Sequence, residues 1–520
     1  MPKQNEFSKS LADPDEFTVT YELVPGQGSG GRKLERLLDF ARSAKEDGRI
    51  RALSITDNPG GGPALAPFAI GSDIQQIGIE PLLHFSLKDK NRNQIESHLF
   101  HYHRQNFNNL LVLGGDFPRP SYYGQAKPVF DLDSVQTLRL MRDMEEGTYR
   151  GVSNSKIAPF DPLAFNRGCV VSPFKAAESE QIWQYAKLIK KIDAGGDFII
   201  TQLGYDICKF EELIRFLRVQ NIGVPVLGNV FVPSTAVARL MHRGKVPGIV
   251  FPEQLVHQME QEERDNRREA RLLRAAKMIC ILKGLGYSGV HLGGNGLNFA
   301  NVRFILDHAG QMAGNWDELR GDVHFPVPGT WYIYKQERPG ACGKEKNDLH
   351  PGHLHRRQKV PRLMHRLLFS PPHPMSRIFG RICLFCERTR LRTAVLRNFE
   401  RWIKSFLFYC KMCGDCTLQE STYICPQSGC PKKLLNGPCG GSRNMTCEVF
   451  PDRYCFWVRV YDREGKSSTI EQFGRTTYLP PKNWALDQTS SWINFYAGRD
   501  HCRIRFDPPE KLEGMSGNGR

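Results

Sequence analysis

Eight short apolar runs alternate with helix-spaced segments over the first three hundred residues, with polar side chains just past many of their ends, and together these predict a (β/α)8 barrel. Eight of the fifteen cysteines then crowd between Cys410 and Cys455, which predicts a smaller metal-binding domain behind the barrel. The expected fold is α/β. A barrel takes residues 15–311, a linker and basic helical segment 312–405, and a Cys-rich domain 406–513.

The strands are expected at 17–24 (FTVTYELV), 50–55 (IRALSI), 80–86 (EPLLHFS), 109–113 (NLLVL), 168–172 (GCVVS), 197–201 (DFIIT), 224–229 (VPVLGN) and 288–292 (SGVHL). Each is short, rich in Val, Ile, Leu or Phe, and bounded by turn residues. Helical spacing fills 32–47, 91–105, 177–193, 207–219, 253–284 and 297–310. Glu22 lies near the end of the first strand, Thr56 and Asp57 follow the second, His84 is late in the third, Asp116 follows the fourth, and Gln202 follows the sixth. Barrel active sites are built at the C-terminal strand ends, so these side chains converge on one face as candidate catalytic equipment. Taken singly, each reads as a loop hydrogen bond or a helix cap.

Gly26, Gly28 and Gly31 follow the first strand in the spacing of a dinucleotide-binding turn, with Asp57 a strand later. Pro25 and the length of the βα series argue against that reading. Arg32 and Lys33 after Gly31 miss the Lys-Ser/Thr of a phosphate loop. Beyond the barrel, Pro326-Val327-Pro328-Gly329 and Gly340 mark the linker.

The formal charge of +16 is concentrated: residues 351–410 hold thirteen Lys and Arg against Glu387 and Glu400. Arg388, Arg390, Arg392, Arg397, Arg401 and Lys404 interleave with Leu391, Val395, Leu396, Phe399, Trp402 and Ile403 as an amphipathic basic helix. That is a solvated face over an apolar seam, or a docking face for an acidic partner such as an electron carrier; the near-balance elsewhere argues against nucleic acid. No apolar run approaches the roughly 20 residues that span a bilayer, and the N-terminal residues MPKQNEFSKSLADPDEF carry no apolar core or cleavage site. The expected compartment is the cytoplasm, with reduced thiols.

In that setting the spacing Cys410-x2-Cys413-x2-Cys416, Cys425-x4-Cys430, Cys439, Cys447, Cys455 reads as metal ligation rather than disulfides. Four thiolates complete one tetrahedral zinc or one cubane [4Fe–4S] cluster, so eight would fill two centres. The x2 spacings and the pairs Cys425-Pro426 and Cys430-Pro431 lean toward iron–sulfur, although eight residues separate Cys416 from Cys425 where a ferredoxin loop has three. Cys383 and Cys386, in the basic segment, read as packed thiols. Trp457, Trp484, Trp492 and Phe495 are expected to pack onto the metal domain, and Gly514–Arg520 to be disordered.

On these residues the chain resembles methylenetetrahydrofolate reductase. The family's strand-1 glutamate looks like Glu22 in Tyr21-Glu22-Leu23-Val24-Pro25, its Ser-x-Thr like Ser54-Ile55-Thr56, and its strand-3 histidine like His84. Its Gly-Asp after strand 4 is similar to Gly115-Asp116, and its Asp-Ala-Gly…Thr-Gln to Asp193-Ala194-Gly195…Thr201-Gln202. Asn436-Gly437-Pro438-Cys439-Gly440-Gly441 and the eight cysteines resemble the Cys-rich domain that some bacteria fuse to this reductase or supply as a partner subunit. The chain departs from the family at Gly114, where an Arg is usual, and at Ser172-Pro173, where Tyr-Pro is usual. Both lie near the flavin in the family, which leaves FAD against FMN open.

The resemblance implies flavin-dependent reduction of 5,10-methylenetetrahydrofolate to 5-methyltetrahydrofolate. Glu22 would be the acid and Asp116 would sit between flavin and pterin. Gln202 would bind the pterin, Thr56 and His84 would hold the flavin, and Lys191 would pair with its phosphate, with Lys190 as a rival. An iron–sulfur centre would relay electrons from NAD(P)H or a ferredoxin-type donor; a zinc centre would brace the chain or a homo-oligomer contact. The alternatives are a zinc-braced barrel that binds folate or flavin without reducing it, and a basic metal-knuckle interaction module.

Overall fold

The computed structural model describes residues 5–149, 160–267, 269–349, 356–370, 373–464 and 478–502. The expected disordered tail, Gly514–Arg520, lies outside these. Two compact units form: one takes the chain through 350 together with Asn436–Val458, and the other takes 351–435 and the C-terminal residues.

In the first unit eight parallel strands close on themselves: β1 (Thr18–Leu23), β2 (Ile50–Ile55), β3 (Glu80–Ser86), β4 (Asn109–Leu113), β5 (Asn166–Val171), β6 (Phe198–Thr201), β7 (Val226–Val232) and β8 (Gly289–Gly294). Each pairs with its sequence neighbour and β8 pairs with β1, so the (β/α)8 expectation holds. The helices are α1 (Glu6–Ala12), α2 (Arg32–Asp47), α3 (Pro67–Ile77), α4 (Arg92–Arg104), α5 (Ser134–Glu145), α6 (Glu178–Asp193), α7 (Ile207–Val219), α8 (Thr235–His242), α9 (Glu253–Arg264), α10 (Ala270–Leu285) and α11 (Phe299–Met312). Gly28 and Gly31 take positive φ in the turn that feeds α2. Those glycines serve a barrel loop, and the closed barrel leaves no dinucleotide-binding half.

Register sorts the lumen into layers. Low in the barrel, Ala52, Leu82, Leu111, Phe198, Ile200 and Leu227 form a buried apolar cluster with Phe7 and Leu11 of α1. Phe7 packs edge-on to Phe198 at 5.4 Å, and the Asn5 amide donates to Asn109 Oδ1, at the start of β4, at 2.9 Å. Helix α1, which precedes the expected barrel start, thus closes the N-terminal end. Further along β2 and β3 the same face turns polar, because side chains alternate with period two: Ala52 gives way to Ser54 and Leu82 to His84 and then Ser86.

In the second unit, helices over Arg356–Leu368, Pro374–Glu387 and Arg390–Phe408 carry the basic segment. The expected amphipathic helix forms, with Leu391, Val395, Phe399 and Trp402 exposed. Its buried seam is a polar knot in which Glu400 accepts from Lys404 at 2.7 Å, Ser490 at 2.6 Å and Ser491 at 2.7 Å. Cys383 is fully buried in its helix, as a packed thiol should be. Among the described residues no helix is long and apolar enough to cross a membrane.

Candidate active site

Strand alternation places Glu22, His84 and His291 on the lumen side at the C-terminal mouth, with their donor atoms within 4.8 Å of one another. Glu22 Oε2 lies 3.6 Å from His291 Nε2, and the Glu22 side chain stays 22% exposed toward the opening. The other ring nitrogen of His291, Nδ1, bonds Thr20 Oγ1 at 2.9 Å. His84 Nε2 bonds Ser54 Oγ at 2.7 Å. Each imidazole is therefore oriented by a hydroxyl on β1 or β2, which leaves its second nitrogen for the mouth.

Burial pushes the Glu22 carboxyl up, but the hydrogen bond and charge of His291, with His84 behind it, outweigh burial and hold it below the ordinary range. Burial drives His84 down to about 4, so this ring is neutral at physiological pH. The mouth thus holds an ionised carboxylate beside an uncharged histidine.

Among the described residues, three polar atoms at this end are buried without a hydrogen-bond partner: Ser86 Oγ on β3, Ser172 Oγ just past β5, and Asn229 Oδ1 on β7. All three have lumen-side parity, since Asn229 pairs in register with His291 and Ser172 continues the Gly168, Val170 series. Orphaned buried polar groups are costly in a finished fold, and a ring of them marks a surface shaped for a polar ligand.

The remaining expected residues fall around this ring. Thr56 is buried, with its amide donating to Leu23 O at 3.1 Å. Asp57 accepts from Lys90 at 2.7 Å and from the Ser86 amide at 3.0 Å, so it is spent on the β2–β3 connection. Asp116 Oδ2 accepts from the Gly60 amide at 2.8 Å, and with Gly60, Phe117, Arg119, Gln125 and Phe450 it lines a pocket. Gly115 before it has φ +82°, and a Cβ there would stand 2.3 Å from Ser86 Oγ. Only glycine brings the Asp116 loop so close to β3. The Gln202 amide donates to Val171 O at 2.7 Å, and its Oε1 accepts from the Leu203 amide at 2.9 Å. Lys191 turns inward: its ammonium donates to Val170 O at 2.6 Å, and burial brings it down to about 8.

The Asn436–Cys439 motif forms a second constellation, on α5 and α6 of the same unit. Asp133 Oδ2 accepts from the Asn436 amide and side chain, both at 3.0 Å. Lys187 donates to Gly437 O at 3.1 Å and Pro438 O at 3.0 Å, Gln184 to Cys439 O at 3.0 Å, and fully buried Lys175 to Gly440 O at 2.6 Å. Trp457 packs edge-on to Trp183 at 4.8 Å. The motif's carbonyls thereby accept hydrogen bonds from the Lys175 and Lys187 ammonium groups, which burial would otherwise penalise.

The cysteines divide. In the second unit Cys410, Cys413, Cys416 and Cys425 line one cavity beside Glu400 and Lys404, and Cys430 lies outside its lining. Burial raises all four thiols, Cys410 to about 11, and Lys404 opposes the rise at Cys410 and Cys416. Gly414 has φ +72°, and a Cβ there would overlap Leu486 O, so this knuckle needs its glycine. Cys439, Cys447 and Cys455 belong to the barrel unit.

A family profile described as "Methylenetetrahydrofolate reductase" matches residues 7–299, and one described as "Methylene-tetrahydrofolate reductase C terminal" matches 390–485. The chain belongs to the methylenetetrahydrofolate reductase family. Among relatives, it is 23% identical over 319 residues to Methylenetetrahydrofolate reductase 1 of Schizosaccharomyces pombe, covering 60% of this chain and 49% of that one. It is 26% identical over 232 residues to Methylenetetrahydrofolate reductase (NADH) 1 of Arabidopsis thaliana, covering 42% of this chain and 36% of that one. The chain thus spans half or less of the length of these relatives. Among solved structures, an uncharacterized protein from Clostridium thermocellum that binds two copies of 5-methyl-5,6,7,8-tetrahydrofolic acid aligns over 59% of this chain and 99% of its own. Its TM-score is 0.40 at 12% identity, a likeness too loose to carry an argument.

Within this reductase-family barrel, sequence reasoning reached Glu22 and His84 and missed His291. The signal was present: His291 interrupts an apolar strand run just as His84 does, and a polar residue in mid-strand facing a lumen needs a partner. The hold of α6 on the Asn436 motif had no local signal, because it joins positions some 250 residues apart.

Proposed function

We propose that this protein reduces 5,10-methylenetetrahydrofolate to 5-methyltetrahydrofolate. The observation that carries the reading is the series Thr20–His291–Glu22, a hydrogen bond of 2.9 Å followed by an ion-pair contact of 3.6 Å, at the mouth of a reductase-family barrel. A reduced flavin, FAD as the family implies or FMN, supplies the hydride when bound. The orphaned Ser86, Ser172 and Asn229 atoms fit a polar heterocycle there, with Thr56 and His84 as its holders and Lys191 or Lys190 near its phosphate.

Opening the imidazolidine ring of the substrate requires a proton at the departing nitrogen. Glu22 is its donor, and because Glu22 rests ionised, the proton is carried by the Glu22–His291 pair and delivered as the nitrogen's electrons are released. Asp116 offers a fixed negative charge to the pterin's donor edge and to the iminium cation. Gln202 adds a donor and an acceptor. His84, neutral, adds no charge to oppose the cation.

The cavity of Cys410, Cys413, Cys416 and Cys425 offers the four thiolates that one iron–sulfur cluster or one zinc requires, and the x2 spacings lean toward the cluster. A cluster there supplies single-electron transfer from NAD(P)H or a ferredoxin-type donor.

The test is the visible spectrum of flavin-loaded protein under anaerobic conditions, before and after 5-methyltetrahydrofolate. Bleaching of the flavin band is expected, and Glu22→Gln should keep the flavin and lose the bleaching. A wild-type flavin band indifferent to the folate would sink the assignment.

A further inference from the structure

On the outside of the barrel mouth, beyond the lumen residues, Asp206, Cys208 and His324 bring a carboxylate oxygen, a thiol and an imidazole nitrogen within 4.8 Å of one another. Asp206 caps α7, its Oδ1 accepting from the Lys209 amide at 3.3 Å and its Oδ2 from Tyr332 Oη at 2.7 Å. Cys208 is fully buried in the first turn of α7. His324 arrives from the segment after α11, held by the Phe325 amide on Tyr205 O at 2.8 Å. Its side chain is only 7% exposed, and its Nδ1, 3.5 Å from Asp206 Oδ1, makes no hydrogen bond among the described residues. A buried imidazole nitrogen aimed at a carboxylate and a thiol yet bonded to neither is unfinished as a polar cluster. It is complete as a metal site.

We propose that Asp206, Cys208 and His324 bind a divalent ion of the zinc class. The donor set decides the class: one thiolate with one imidazole and one carboxylate suits zinc, whereas magnesium and calcium take oxygen alone. Zinc bonds of about 2.0–2.3 Å put neighbouring donors roughly 3.3–3.8 Å apart, so side-chain rotations of about an ångström close the site. The Asp206 carboxylate keeps its cap and its tyrosine bond as the outer contacts that orient a ligating oxygen. The fourth position falls to Cys342, a buried thiol that donates to Cys208 O at 3.1 Å, or to water. The ion staples the segment from His324 to Cys342 onto α7. It also stiffens the turn between Gln202, on the lumen side, and the start of α7.

The experiment uses the full chain, purified anaerobically and supplied with zinc, with metals counted per chain and the zinc edge examined by X-ray absorption. Zinc with one or two sulfur neighbours and the rest nitrogen or oxygen is expected, the sulfur count deciding between water and Cys342. Cys208→Ser and His324→Gln should each remove one equivalent of zinc and leave iron content and visible absorbance unchanged. Absence of zinc, an all-sulfur shell, or unchanged zinc in both variants would overturn the proposal. The wild-type absorption edge decides the matter even if a variant fails to fold.

Discussion

At the residue scale the mouth is governed by a competition between burial and partnership. Burial pushes the Glu22 carboxyl up, and its pairing with His291 outweighs burial. Glu22→Gln is expected to lower kcat by about a thousandfold or more with flavin still bound, general acid catalysis by itself supplying roughly 10²–10⁴. His291→Asn, which keeps a polar group against Thr20 but carries no proton, should cost about tenfold to a hundredfold and shift the pH profile of kcat/KM. A merely structural His291 would leave that profile in place. His84 makes a separate prediction about stability. Unfolded, its ring takes up a proton near 6.5, while the folded ring resists protonation until about 4. Between those values the unfolded chain binds more protons, so folding stability is full above pH 6.5 and declines as the pH falls toward 4. The full decline amounts to about 3 kcal/mol. Urea midpoints across that window should fall for the wild type and flatten for His84→Gln; parallel curves would exclude the histidine as the cause.

At the element scale the strands were legible because a parallel barrel strand is a buried apolar run between turn residues, and all eight expected runs became strands. The helices that escaped notice show where that signal stops. Helix α3 opens with Pro67 and carries Gly71 packed on Leu83 and Phe107, so its composition resembles a loop. Helix α8 has only eight residues. The run expected as one helix over 253–284 divides into α9 and α10, with Asn266 in the left-handed region at φ 55° breaking it. Asp133 shows how one side chain can serve two elements. Its Oδ1 caps α5 through the Val135 and Gln136 amides at 2.9 and 3.1 Å, and its Oδ2 holds Asn436. Losing a cap costs about 1 kcal/mol, and hydrogen bonds to a charged group are worth about 1.5–3 kcal/mol. Asp133→Ala should therefore destabilise by about 3 kcal/mol, and Asn436→Ala, which keeps the cap and the backbone bond, by less, measured by urea denaturation. Equal losses would mean that the cap contributes nothing.

At the scale of the whole molecule, the sequence suggested that eight clustered cysteines act together in one domain of their own. Spacing does show which thiols are local to one another: Cys410, Cys413 and Cys416 rise from a single knuckle, and Cys425 joins them across one loop. It could not show that Asn436–Val458 belongs to the barrel unit, because the anchors are Lys175, Gln184 and Lys187, on or beside a helix far earlier in the chain, and their complementarity to a run of carbonyls is a tertiary fact. The consequence is an unequal response to cysteine replacement. If the proposed cluster sits there, serine at Cys410, Cys413, Cys416 or Cys425 removes one of the four thiolates of this cavity, and a cubane cluster lacking a ligand is bleached or lost. Serine at Cys430 leaves that cavity's lining intact. Visible absorbance near 400 nm and iron per chain, measured anaerobically on the five single variants, should thus fall sharply and alike in the first four. The Cys430→Ser variant should retain this cluster's share. If Cys430→Ser bleaches the protein as completely as Cys413→Ser, the four-thiol assignment is wrong and the ligand set must be drawn across the wider cysteine series.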